Sequence, residues 1–292
     1  MSISATIAVG VDSSWAAAGA VDWALEEGRI GSRPVKAIHV VDAKPAAGPY
    51  FAAPGVGDGA KRLAAEVTDY LAGHGGQAGH GADVLTGAPA RTLAHAAEGF
   101  RMLVVGRHGH GMLERLLIGS TAEAVAYEAK GPVVVVPAGW LPGDRTAPIV
   151  VGVDESELCQ AAIEFAVGLA AERHAPVRLV HVWDVVSVYT WDVAPASGTI
   201  AEWRDNFLER LERTAQLWRD KYPEVKFETD VRRGHPVYDL ADAADDMEAQ
   251  LLVLGGRNHN RLAAMLLGST ARGILHQATC PIAIVHEPRV TL

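Results

Sequence analysis

Ile7-Ala8-Val9-Gly10-Val11-Asp12 returns 142 residues later as Ile149-Val150-Val151-Gly152-Val153-Asp154. A run of branched and small apolar residues closed by a carboxylate reads as a buried strand with a polar group at its carboxyl end. Its recurrence at such a distance makes the 292-residue chain two copies of one design, since solenoids repeat at much shorter periods. Working outward, Ile38-His39-Val40-Val41 reappears as Val180-His181-Val182-Trp183, and Gly87-Ala88-Pro89 as Gly234-His235-Pro236. Gly119-Ser120-Thr121 returns as Gly268-Ser269-Thr270, and the apolar run after Pro132 as the one after Pro281. The offset grows to 147 (234 − 87) and then 149 (268 − 119), the signature of loop insertions between conserved-length elements.

Within the first copy, continuous apolar runs at 7–11, 35–41, 102–105 and 133–136 alternate with stretches of helical periodicity, and a weaker strand covers 82–85. Strands without polar alternation are covered on both faces, so each copy is expected to be an α/β, doubly wound, open parallel sheet of Rossmann-like type. Asp12-Ser13-Ser14 is expected to cap the following helix, residues 42–60 to form a long loop, and the Pro- and Gly-rich stretch 137–148 to link domains 1–143 and 144–292. The second copy carries Trp183, Tyr189, Trp191 and Trp203 where the first has its Ala- and Gly-rich loop, and 200–222 reads as a helix with Trp203, Leu208, Leu211 and Trp218 on its packed stripe.

Composition narrows the function. A net charge of −9 opposes a broad basic surface for nucleic acid or anionic membrane. Two cysteines, Cys159 and Cys280, form neither a disulfide framework nor a metal-ligand spacing, which suits a reducing compartment. The first strand begins within a few residues of Met1 with no basic leader, and no apolar run is long enough to span a bilayer, so the cytoplasm is the expected location.

The chemistry-bearing stretch is Gly106-Arg107-His108-Gly109, followed nine residues on by Gly119-Ser120-Thr121. Glycines let backbone N–H groups approach an anion where a Cβ would obstruct, and the helix opening at Ser120 offers its positive end to phosphate. A plainer reading is that Gly106 ends a strand and Ser120 with Glu123 forms a capping box. The order is neither a P-loop nor a dinucleotide fingerprint, whose glycines follow the first strand. His108 and His110 read as neighbours of this loop and no metal site is expected; His39 and His181 read as core residues.

With its strand-end aspartates, repeated His-Val, Gly-x-Pro, and Gly-x2-Gly-x9-Gly-Ser loop, the chain resembles the universal stress protein family in its tandem ATP-binding form. The resemblance implies that Asp12 and Val40 contact the adenosine part of ATP, bound alone or with Mg²⁺, while Gly106, Gly109, Gly119, Ser120 and Thr121 hold ribose and phosphates. By the same repeat, Asp154, Val182, Gly255, Asn258, Gly268, Ser269 and Thr270 form the second site. There Asn258 replaces a glycine, and Arg272 stands where the first copy has Glu123. The apolar last strands need cover, and the resemblance implies internal pairing of the two domains as a pseudo-dimer or further homo-oligomerisation. No catalytic residue is assigned. The implied role is a stress-response regulator whose nucleotide occupancy reports or controls growth or dormancy. A slow ATPase or phosphotransferase, or an interaction module with a vestigial site, are the alternatives.

Overall fold

The computed structural model describes residues 4–42, 56–75, 79–108, 118–154, 159–184, 197–256 and 267–286. The chain divides into two compact units, one built on Met1–Pro142 and one on Gly143–Val285.

In the first unit the elements run β1 (Ile7–Val11), α1 (Ala20–Ile30), β2 (Val35–Asp42), α2 (Val56–Gly75), β3 (Gly81–Gly87), α3 (Pro89–Ala96), β4 (Met102–Gly106), α4 (Ser120–Glu128) and β5 (Val133–Val136). The strands pair in parallel in the order β3-β2-β1-β4-β5. The chain builds outward from β1 in one direction, then crosses to the other side of β1 to lay down β4, which places the topological switch point between β1 and β4. Ile7, Ala8, Val9, Val104, Val133 and Val134 have no exposed surface. Burying each Val or Ile removes enough apolar area to contribute about 1.5–3 kcal/mol, so these runs fix the sheet's centre.

The second unit repeats the plan with β6 (Ile149–Gly152), α5 (Cys159–Arg173), β7 (Val177–Trp183), α6 (Ser197–Lys221), β8 (Phe227–Arg233), α7 (Pro236–Asp246), β9 (Leu251–Gly255), α8 (Ser269–Gln277) and β10 (Ile282–Val285). Its strands are parallel in the order β8-β7-β6-β9-β10. Both units are thus doubly wound α/β sheets. No helix among the described residues is long and apolar enough to cross a membrane.

Several local expectations need correction. Asp12 does not cap α1: its carboxylate accepts from the Ser14 amide at 2.8 Å and the Ser14 hydroxyl at 2.6 Å. That turn leads into a short 3-10 segment, Trp15–Ala17, and α1 starts only at Ala20 after Gly19, whose φ of 71° suits glycine. The loop expected over 42–60 ends early, because α2 begins at Val56. Ala60, Val67 and Leu71, spaced for one helical face, are buried, and that burial outweighs the low helix propensity of Gly57 and Gly59. Strand β3 is longer than 82–85, and on α6 Leu211 and Trp218 are buried while Leu208 is exposed.

Candidate functional site

At the switch point, the carboxyl ends of β1 and β4 diverge around a cavity of about 350 Å³. Six of the residues predicted for the first site line it: Asp12, Val40, Gly106, Gly119, Ser120 and Thr121. Gly109 lies outside the described residues. Gly106 is required by close approach, since a Cβ there would stand 2.9 Å from the Ala18 Cβ and 3.3 Å from the His108 carbonyl oxygen. Gly119 is the N-cap of α4 and donates its amide to the Arg107 carbonyl at 2.7 Å. As glycine it supplies no side-chain cap to the first-turn amides of α4, and no capping box forms because Ser120 is already inside the helix. The α4 N-terminus therefore opens on the cavity with the positive end of its dipole, an arrangement that favours an anion.

Apart from His108, which the sequence places beside the loop, the remaining wall was not legible as a site. Trp15 and Ala18 precede α1, Pro89 and Leu93 come from α3, and Arg107 and His108 follow β4. Arg107 is buried and brings a cation to the cavity. Pro89 stood in the sequence as a repeat landmark, the one signal that α3 borders the site. Asp12 is the single carboxylate among the described lining residues. Among those residues no three His, Cys, Asp or Glu side chains gather as a metal-ligand set.

His39 and His181 are placed alike. Their Nδ1 atoms lie 2.9 Å from the Val11 carbonyl oxygen and 2.8 Å from that of Val153. A carbonyl only accepts, so Nδ1 carries the proton in each, and each histidine ties the end of one strand to its neighbour.

The equivalent cleft of the second unit holds only about 140 Å³. Asp154, Val182, Gly255 and Thr270 line it, whereas Gly268, the N-cap of α8, and Ser269, its first residue, are outside its lining, and Asn258 lies outside the described residues. Two of its lining side chains differ from those of the first unit. Leu254 replaces Val105 beside the β6 glycine: a Cβ on Gly152 would come within 2.6 Å of Leu254 Cδ2, against 3.2 Å between a Cβ on Gly10 and Val105 Cγ1. Cys159, a buried thiol at the start of α5, also lines the cleft.

The sequence model of the universal stress protein family matches residues 5–137 and again 146–286. The chain belongs to the universal stress protein family. It is 33% identical over 293 residues to a universal stress protein of Mycolicibacterium smegmatis, covering 97% of each chain. A universal stress protein of Mycobacterium tuberculosis is 29% identical over 293 residues, with 96% of each covered. The crystal structure of a universal stress protein from Archaeoglobus fulgidus superposes with a TM-score of 0.72 at 16% identity, covering 97% of this chain and 98% of that one. The tandem arrangement of two universal stress protein domains thus extends along nearly the whole chain.

Proposed function

We propose that the first domain, residues 1–143, binds ATP in the cavity between β1 and β4, and that occupancy of this site regulates a cytoplasmic stress response. The reading rests on one observation above all: the uncapped N-terminus of α4 and the tight Gly106 backbone face a cavity of about 350 Å³. That volume falls within the roughly 300–1,000 Å³ of small-molecule sites, whereas the 140 Å³ cleft of domain 144–292 falls below it. Asp12 and Val40 take the nucleoside end, and Gly106, Gly119, Ser120 and Thr121 the phosphates, with Arg107 supplying a positive charge beside them.

Binding rather than turnover is the function this lining supports. Fast phosphoryl transfer needs metal-holding carboxylates and a group that orients the attacking water, and Asp12 is committed to the nucleoside. Isothermal titration of the untagged protein with ATP is expected to give one dominant site per chain. Multiple-turnover hydrolysis assays with Mg²⁺ are expected to show no sustained product release. No heat of binding would end the nucleotide reading, and steady turnover would replace it with a slow ATPase.

A further inference from the structure

We infer that the second unit carries a ligand pocket of its own, on the α5–α6 side of its sheet, for a small uncharged planar heteroaromatic molecule bearing an N–H donor. Its cavity, about 400 Å³, is larger than the cleft that repeats the first unit's site. The two meet at Val153, Asp154 and Cys159 but turn in opposite directions. The small cleft is closed by Pro236 and Leu240 of α7, the large cavity by Gln160 and Ile163 of α5 and by Phe207, Arg210, Leu211 and Thr214 of α6. In a doubly wound sheet these helix pairs cover opposite faces.

A side-chain difference between the copies lies on the wall of this cavity. Aligning the buried pair Val67 and Leu71 of α2 with Leu211 and Ala215 of α6 sets Tyr70 against Thr214. In the first unit the Tyr70 ring meets Trp15 edge to face with centroids 5.0 Å apart, and its hydroxyl donates to Asp22 at 2.6 Å. Thr214 lacks that ring and lines the open cavity of the second unit.

The lining chooses the ligand. The Phe207 ring packs against the His181 imidazole, centroids 4.8 Å apart, and Ile163 and Leu211 add aliphatic surface, which suits a flat apolar body. His181 donates from Nδ1 to the Val153 carbonyl, so in the neutral ring Nε2 is an acceptor. That nitrogen is buried and has no hydrogen-bond partner among the described residues. A buried acceptor left unpaired is costly, and an incoming N–H relieves the cost. Asp154 and Arg210 place one charge of each sign on the wall, a balance that favours an uncharged ligand.

Indole offers one N–H on a planar ring of this kind, and benzothiophene offers the same shape without the donor. In saturation-transfer NMR on the full chain, indole is expected to bind at least tenfold more tightly than benzothiophene, and to keep its signal when ATP is added in excess. Thr214→Tyr, which restores the first unit's side chain, is expected to weaken indole at least tenfold while circular dichroism shows the fold retained. Absence of indole binding, equal binding of benzothiophene, displacement by ATP, or unchanged binding to a folded Thr214→Tyr protein would each overturn the assignment. Should Thr214→Tyr not fold, the indole and benzothiophene comparison on the unaltered chain decides by itself.

Discussion

The Cys159 thiol donates a hydrogen bond to the Asp154 carboxylate at 2.9 Å, and the Asp154 amide donates back to the same sulfur at 3.2 Å. The matching carboxylate of the first unit, Asp12, is held differently, by the amide and hydroxyl of Ser14 in a local turn. One aspartate is therefore engaged by a thiol that lines its cleft, the other by a turn that leaves its cavity open.

Asp12 and Asp154 should accordingly respond unequally to neutralisation. A hydrogen bond to a charged group is worth about 1.5–3 kcal/mol. Asp12→Asn, which keeps an acceptor for the Ser14 turn, is expected to weaken ATP binding roughly 10- to 100-fold. Asp154→Asn should change it less than about twofold. Isothermal titration of both variants checks this, and equal losses would mean that both clefts bind nucleotide.

Glu123 lies in the first turn of α4, where a carboxylate competes with phosphate for the helix's positive end. Removing its charge as Glu123→Gln should tighten ATP binding by about 0.3–1 kcal/mol, roughly two- to fivefold. The gain should shrink as salt rises, because a half-buried charge at a helix end is still partly screened. Titrations at low and high ionic strength test both parts, and a weaker complex at low salt contradicts the assignment of phosphate to this helix end.

The glycines beneath the two sites differ in tolerance. A methyl at Gly10 meets Leu93 and Val105 at 3.2 Å, which small side-chain shifts absorb, whereas at Gly152 it meets Leu254 at 2.6 Å and Leu240 at 3.1 Å. Overpacking a core costs about 1–3 kcal/mol. Gly152→Ala is expected near the top of that range and Gly10→Ala near the bottom, as read from urea unfolding of each variant. Equal midpoints would show that Leu254 rearranges freely.

Tyr70 is held protonated by its hydrogen bond to the Asp22 carboxylate, helped by burial, and its pKa is pushed up to about 12. The folded state thus favours the protonated phenol. Its stabilising effect is fully present below the ordinary tyrosine pKa of about 10 and is lost as pH rises through about 12. Ultraviolet titration should resolve one tyrosine ionising late, and Asp22→Asn should return it towards the ordinary value. A late phase that persists in that variant would place the cause elsewhere.

Much of this architecture is written locally. Val133-Val134-Val135-Val136 and its counterpart Ile282-Ala283-Ile284-Val285 are apolar on both faces, and only a strand covered on both sides accommodates that pattern. The doubled landmarks from Asp12 to Gly119 likewise put the candidate site at strand ends, because strand, glycine and helix start are adjacent in the chain. Turn chemistry was less legible. Asp12-Ser13-Ser14 suits a cap and a turn equally, and the choice fell to the turn once Gly19 took the left-handed position before α1. The inequality of the two sites was beyond local reading altogether. Leu254 and Gly152 stand about a hundred residues apart, as do Val105 and Gly10, and whether an extra methylene closes a cleft depends on which side chains the sheet brings into contact. The same holds for Thr214, which reaches a cavity wall with His181 and Ile163 only because folding brings α5, α6 and β7 together. Periodicity and spacing reside in consecutive residues, while volume arises between residues that meet only after folding.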